Sequence, residues 1–490
     1  MLTLGGRSGS DILSEMERER VLELLLREFG HDPTTGQLQV MKHLTAFLLS
    51  RKTNPLYLLK GYAGTGKTSL IGALVRVMHE IGRNFILLAP TGRASKVLAS
   101  YSGFASSTIH RKIYRRMVDA DGRYRMQRMI SKHRNTVFIV DEASMIGETL
   151  SDSATFGAQN LLDDLVSYVY EGVNCSMILI GDSAQLPPVG VDESPALDIE
   201  FLKNSYPLTA YGYELNEVMR QSLGSGILYQ STQIRLGLER EQISFPLFAP
   251  VFFSDVVKVE NENLEDLLYQ AFGSRDPEEA VVVCRSNRTA NMFNQAIRKR
   301  ILGFEDEINA GDLLMIVRNN YYWLDQVEQE TGFLANGDII SLNRINKTEE
   351  LYGFRFVDAE ITLIDDPACP PLQVKLLIET LTVNGPSLGW DEMNKLAAAI
   401  EEDLTHIPDR RKRLSMIRTN PYYNALQVKF SYALTCHKTQ GGQWPQVFVE
   451  SGLKSVSEVD HGYLRWLYTA CTRATSRLFL IGFPEQIISG

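Results

Sequence analysis

Gly61-Tyr62-Ala63-Gly64-Thr65-Gly66-Lys67-Thr68 fits the pattern G-x-x-x-x-G-K-[ST], and both of its flanks are the ones that pattern requires. The apolar run Leu56 to Leu59 reads as a strand leading into it, and Ser69 to Met78 reads as a helix leading out. Gly61, Gly64 and Gly66 let the backbone close around phosphate, so that successive N–H groups and the helix N-terminus face negative charge. Lys67 adds a point charge and Thr68 a hydroxyl for Mg2+, while Thr65 and Ser69 fall in the same cradle. The stretch therefore predicts a phosphate-binding loop between a strand and a helix, which is an α/β arrangement.

Outward from this loop, the same kind of apolar run recurs at Phe85–Ala89, Val137–Val140, Met177–Ile180, Val281–Cys284, Val447–Val449 and Leu478–Ile481. Helix-like stretches lie between them. Short aliphatic runs alternating with helical patterns predict buried parallel strands, whose chemistry gathers at their carboxyl ends. Two of those ends carry acids or amides suited to a nucleotide. Val137–Val140 leads into Asp141 and Glu142, one carboxylate to hold Mg2+ and one to orient and deprotonate water. Ile178–Ile180 leads into Gly181-Asp182-Ser183-Ala184-Gln185-Leu186-Pro187-Pro188, where Gln185 can reach a γ-phosphate. Together these ends predict nucleoside triphosphate hydrolysis.

Composition bounds the rest. A length of 490 supports about three domains, and 44% hydrophobic with 22% charged residues is globular usage. The net charge of −9 argues against a wholly basic coat for nucleic acid, but leaves room for a local basic groove. The five cysteines are scattered without metal-ligand spacing and read as reduced cytosolic thiols. Charges interrupt the first thirty residues, and no apolar run is long enough to span a membrane, so a cytoplasmic protein is expected. Residues 11–28 predict a leading helix.

Two segments break the strand–helix rhythm. Residues 101–136 hold nine basic residues against Asp119 and Asp121, with a turn signal at Asp119-Ala120-Asp121-Gly122 that predicts a small projecting hairpin. Residues 305–425 contain strand-like Arg355–Ile364 and a helix-like stretch near 391–405 without the parallel-sheet pattern, and read as an inserted module.

The order of segments resembles superfamily 1 helicases, specifically the 1B branch with the RecD-like and Dda-like DNA helicases. The resemblance runs through Pro33-Thr34-Thr35-Gly36-Gln37, similar to the adenine-reading Q motif, LLAPTGRAS at 87–95, SSTIH at 106–110 and DEAS at 141–144. It continues through GDSAQLPPVG at 181–190, LNEVMRQ at 215–221, TCHKTQGGQW at 435–444 and LYTACTRA at 467–474. It implies two RecA-like lobes with ATP and Mg2+ between them and single-stranded DNA across the top. The expected division is 1–200 for the first lobe, with a pin-like 1B hairpin near 101–136, 201–304 and 426–490 for the second lobe, and 305–425 for an inserted 2B module with an SH3-like barrel.

By position, the resemblance makes Gln37 an adenine contact, Lys67, Glu142 and Gln185 catalytic, Thr68 and Asp141 metal ligands, and Arg220 and Arg473 arginine fingers. Pro90, Thr91, Thr108, His110, Thr435 and His437 sit in segments suited to phosphate contacts on a nucleic-acid strand, and Tyr114 and Tyr124 to stacking on bases. One departure is Gln443, where many members carry an acid, and no role is carried to it. The expected activity is ATP-driven 5′-to-3′ movement on single-stranded DNA and opening of duplex by a single chain. An RNA helicase of the same superfamily, or the motor or binding subunit of a multi-chain recombination complex, stay open at this point.

Overall fold

A computed structural model describes the chain except residues 1–8, 119–123, 148–159, 218–223, 241–242, 244, 246, 325–332, 367 and 489–490. The leading helix runs Gly9–Phe29, as expected. The first sheet holds β1 (Pro55–Gly61), β2 (Asn84–Ala89), β3 (Ser106–Thr108), β6 (Thr136–Val140), β7 (Ser176–Gly181) and β8 (Thr209–Leu215) in the order β3-β2-β6-β7-β1-β8. Every pairing in it is parallel, with Leu58 opposite Leu179 and Leu87 opposite Ile139. Alternate side chains of β1 enter different cores, Leu56 and Leu58 on one face, Tyr57 and Leu59 on the other. A sheet covered on both faces needs such continuous apolar strands, which is why the sequence runs are unbroken.

Between β3 and β6, β4 (Tyr114–Val118) and β5 (Tyr124–Arg128) form a two-stranded antiparallel ribbon, with Tyr114 opposite Arg128. Its turn, 119–123, lies outside the described residues.

The second sheet has β9 (Val256–Val259), β10 (Ala280–Cys284), β16 (Ala433–Thr435), β17 (Trp444–Glu450) and β18 (Ala474–Ile481) in the order β16-β10-β17-β18-β9, again all parallel. The chain leaves this sheet after β10 and returns at β16, β10's neighbour. The intervening strands β11 (Leu313–Ile316), β12 (Ile339–Leu351), β13 (Phe354–Leu363), β14 (Leu372–Leu377) and β15 (Leu426–Phe430) close into a barrel. Four of its seams are antiparallel, and β14–β15 is parallel because two helices, Trp390–Asp403 and Arg410–Arg418, carry the chain back between them. Those helices pack on the barrel through Met393, Leu396, Ile400 and Ile417 against Phe354 and Phe356.

Two expected boundaries shift. The first sheet continues past residue 200, because β8 pairs along the whole of β1, and the barrel continues past 425, because β15 seals it. All five cysteines are buried and unpaired in disulfides. Among the described residues no helix is long and apolar enough to cross a membrane.

Candidate nucleotide cleft and nucleic-acid groove

The phosphate-type loop joins β1 to the helix Lys67–Glu80 at the carboxyl edge of the first sheet. Gly64 and Gly66 take φ of 76° and 85°, a region that penalises side chains, so the loop's tight curl requires glycine there. Lys67 Nζ donates to the carbonyls of Gly61 and Tyr62 (2.9 Å for the latter), which holds the ammonium over the loop. Thr68 and Ser69 are exposed on the first helical turn.

Gln37 packs against this loop. It is fully buried, accepts from the Thr34 N–H (2.9 Å) and donates to the Thr65 carbonyl (2.9 Å). Both ends of its amide serve the protein, so here it braces the loop and caps its own helix. The adenine contact expected of it finds no exposed amide atom.

Asp141 and Glu142 follow β6 as expected. Tyr101 donates its hydroxyl to Asp141 Oδ2 (2.6 Å), and Asp141 Oδ1 accepts from the Glu142 N–H (2.9 Å). Glu142 has a φ of 52°, a costly conformation for a non-glycine residue that re-aims the carboxylate as the chain leaves the strand. Burial raises its carboxyl above the ordinary range, and the guanidinium of Arg473 opposes that rise. Arg473 Nη1 stands 4.0 Å from Glu142 Oε1 across the two lobes. That same Nη1 donates to the Gly442 carbonyl (3.2 Å), while Nε donates to the Thr469 carbonyl (3.0 Å) and Nη2 to Thr472 Oγ1 (3.2 Å). Gln185 is buried with its Oε1 lacking any hydrogen-bond partner. An orphaned acceptor of that kind fits a bound water, while the glycine cradle, Lys67 and the two carboxylates fit a phosphate with its metal. Arg220 lies outside the described residues.

The sequence reading missed what ties the lobes together here. Tyr468, on the second-lobe helix His461–Cys471, accepts from the Ala63 N–H of the phosphate loop (2.8 Å) and donates to Asp182 Oδ2 (2.7 Å). Burial and that carboxylate keep its hydroxyl protonated. Three further bonds run beside it: Leu186 N–H to Thr469 Oγ1 (2.8 Å), Arg465 Nη1 to the Ser183 carbonyl (2.8 Å) and Gln440 Nε2 to the Leu186 carbonyl (2.7 Å). Asp182 followed an apolar strand, and Tyr468 stood inside LYTACTRA, so the signal was present in the sequence.

The residues expected along nucleic acid divide. Thr435 and His437 line a pocket of about 330 Å3 with Arg285, Tyr463 and Trp466. Pro90 and Thr91 sit half-buried at the end of β2, where Thr91 Oγ1 caps the helix Gly92–Ser102 by accepting from Ala94 N–H (3.2 Å). Thr108 is buried, and its hydroxyl caps the next short helix by accepting from Arg111 N–H (3.2 Å). His110 is a packed ring between Tyr114 and Phe333, and burial lowers its pKa to about 4, so it stays neutral and presents no charge to phosphate. Tyr114 also departs from expectation: it is 1% exposed and donates its hydroxyl to Asp164 (2.7 Å), which leaves no face for a base. The side chain of Tyr124 lies outside the described residues.

Comparison with known proteins places two family matches on this chain: an AAA domain over residues 33–245 and a UvrD-like helicase C-terminal domain over 430–481. The chain is similar to an uncharacterized protein of Acanthamoeba polyphaga mimivirus, 23% identical over 91% of this chain and 98% of that protein. It is 24% identical to the ATP-dependent DNA helicase dda of Enterobacteria phage T4, over 67% of this chain and 71% of the helicase. A shorter match, 32% identical over 27% of this chain, is to the ATP-dependent RecD2 DNA helicase of Deinococcus radiodurans, of which it covers 16%. Among solved structures, the Pif1 helicase from Bacteroides in complex with ADP-AlF3 and ssDNA aligns over 94% of this chain and 95% of its own, at 15% identity and a TM-score of 0.45.

Proposed function

We propose that this chain, a superfamily 1B helicase of the Dda-like and RecD-like type, hydrolyses ATP to move 5′ to 3′ along single-stranded DNA and separate duplex ahead of it. The observation that carries the reading is Arg473 of the second lobe facing Glu142 of the first, 4.0 Å apart across the cleft that holds Lys67. A finger on one lobe and a base on the other means that hydrolysis depends on how the lobes sit, which is what a motor needs. DNA rather than RNA is favoured because the named helicase relatives are DNA helicases.

In this mechanism Lys67 and the loop N–H groups bind the phosphates, and Glu142 orients and deprotonates water. Gln185 offers its free Oε1 as an acceptor to that water and its amide N–H group to the γ-phosphate, and Arg473 stabilises charge on the transferring group as the lobes close. Thr68 and Asp141 would hold Mg2+, which when bound screens phosphate charge. Arg220 is assigned the second finger by its motif. Thr435 and His437 grip the strand in their pocket. The closed barrel is read as an SH3-like 2B module and the ribbon β4–β5 as the 1B pin. The chain works as a single-chain motor in the cytoplasm, on single strands and junctions. Lys67→Ala and Glu142→Gln should each abolish DNA-stimulated ATP turnover while leaving the circular dichroism spectrum unchanged. Undiminished turnover in either variant overturns the assignment.

A further inference from the structure

The first lobe, the second lobe and the barrel meet at Arg93. It opens the helix Gly92–Ser102, its guanidinium carbon lies 4.0 Å from the centre of the Trp444 ring, and it is 8% exposed. Its counter-charge comes from the barrel: Asp365, which follows β13, places Oδ1 4.0 Å from Arg93 Nη1. That Nη1 and both Asp365 oxygens are buried without a hydrogen bond. A buried ion pair recovers its desolvation cost only with close, hydrogen-bonded geometry, and this pair lacks it.

The same rim of the barrel repeats the arrangement along the groove. Asp366 accepts from Arg111 (2.6 Å), and the Ile364 carbonyl accepts from Lys96 (3.2 Å). Asp338 lies so close to the helix N-terminus that a methyl group on Gly92 would come within 3.1 Å of its Oδ1. Barrel carboxylates thus stand opposite Gly92, Arg93 and Arg111, within or next to the segments 87–95 and 106–110 that the sequence resemblance sets along the strand.

We propose that Arg93 is a backbone-phosphate ligand of the nucleic-acid strand, and that the barrel's acidic rim, chiefly Asp365, stands in for phosphate and holds Arg93 in reserve. A phosphate oxygen offers the guanidinium the short, charge-assisted hydrogen bonds that Asp365 does not make, so exchange favours the strand. Trp444 holds the guanidinium plane in place through the exchange. The inference rests on the reading of the chain as a strand-binding motor, and it makes barrel displacement a part of loading.

The test is fluorescence anisotropy of the full chain with a labelled oligothymidylate at several salt concentrations, for wild type, Asp365→Asn, Arg93→Gln and the double variant. Asp365→Asn should tighten binding several-fold. Arg93→Gln should weaken it about tenfold and reduce the salt slope by about one. In the Arg93→Gln background, Asp365→Asn should bring no gain. An unchanged affinity in Asp365→Asn, or a gain that persists undiminished without Arg93, overturns the proposal. Asp366→Asn frees the more exposed Arg111 and should tighten binding by a smaller factor. If Asp365→Asn does not fold, an unchanged affinity in Asp366→Asn overturns the proposal instead. A wild-type chain that binds no strand at any salt removes the underlying functional reading, an outcome distinct from binding without coupling.

Discussion

Asp338 is a carboxyl group whose surroundings disfavour its charge. Burial raises its pKa to about 6 from the ordinary 3.8, Asp365 and Asp366 add to the rise, and Arg111 and the Ala335 N–H oppose it. The unfolded chain therefore releases this proton at lower pH than the folded chain, so this group's contribution to stability falls as pH climbs from about 4 to 6 and is flat above. Two pKa units amount to roughly 3 kcal/mol. Asp338→Asn, which keeps an oxygen for the Ala335 N–H, should match wild type near pH 4 and exceed it by up to about that amount at pH 7 and above. Denaturant unfolding across this range checks it, and a parallel pair of pH curves contradicts it. Gln37 and His110 teach a related lesson about single residues. Both stand in motif positions, yet the amide of one is consumed by Thr34 and Thr65, and the ring of the other is packed and neutral. Motif spelling gives the residue type at a place, while burial and hydrogen bonding decide whether its polar atoms remain available.

Between elements, one close approach of the lobes runs through Gly441, which follows the short helix Cys436–Thr439. Its φ is +73°, and a methyl group there would stand 2.6 Å from Ala94 Cβ and 3.2 Å from Thr91 Oγ1 on the first lobe. Gly441→Ala adds about 1 kcal/mol of left-handed strain and forces this contact apart. Steady-state assays should show DNA-stimulated ATP turnover reduced several-fold, with a raised KM for ATP, beside a loss of folding stability of about 1 kcal/mol or more. Wild-type kinetics in that variant would mean that this lobe contact does not enter the cycle. The same scale shows why part of the fold was legible in the sequence. The seven apolar runs are central or near-central strands, where both faces are buried and polarity has no place. The edge strand β8, TAYGYEL, leaves Tyr211 38% exposed and reads as a polar connection, so the first lobe was expected to end too early. Barrel strands such as β13 alternate buried and half-buried residues, and their partners lie in both directions along the chain, so the closure cannot be seen in one stretch. The cleft was legible residue by residue, from Gly61 through Glu142 to Arg473, but the bonds through Tyr468 that join its two halves depend on tertiary placement.

At the scale of the whole molecule, two parallel sheets present their carboxyl edges to a shared cleft, and the barrel inserted between β10 and β16 reaches back to the first lobe at Arg93 and Arg111. In the mechanism proposed above, a nucleotide that draws Arg473 toward Glu142 would move the lobe that carries the barrel, joining strand grip and hydrolysis in one cycle. Net charge is −9, so strand binding has to come from the local cations and should weaken steeply with salt at any sequence. The most direct test is strand separation of a short duplex carrying either a 5′ or a 3′ single-stranded tail, with ATP and Mg2+, and Lys67→Ala as the blank. The account predicts that the 5′-tailed duplex opens, the 3′-tailed one stays closed, and the blank opens neither. Opening of the 3′-tailed duplex alone would contradict the direction of movement, and opening of neither, with ATP being turned over, would contradict the claim that this chain is by itself a DNA helicase.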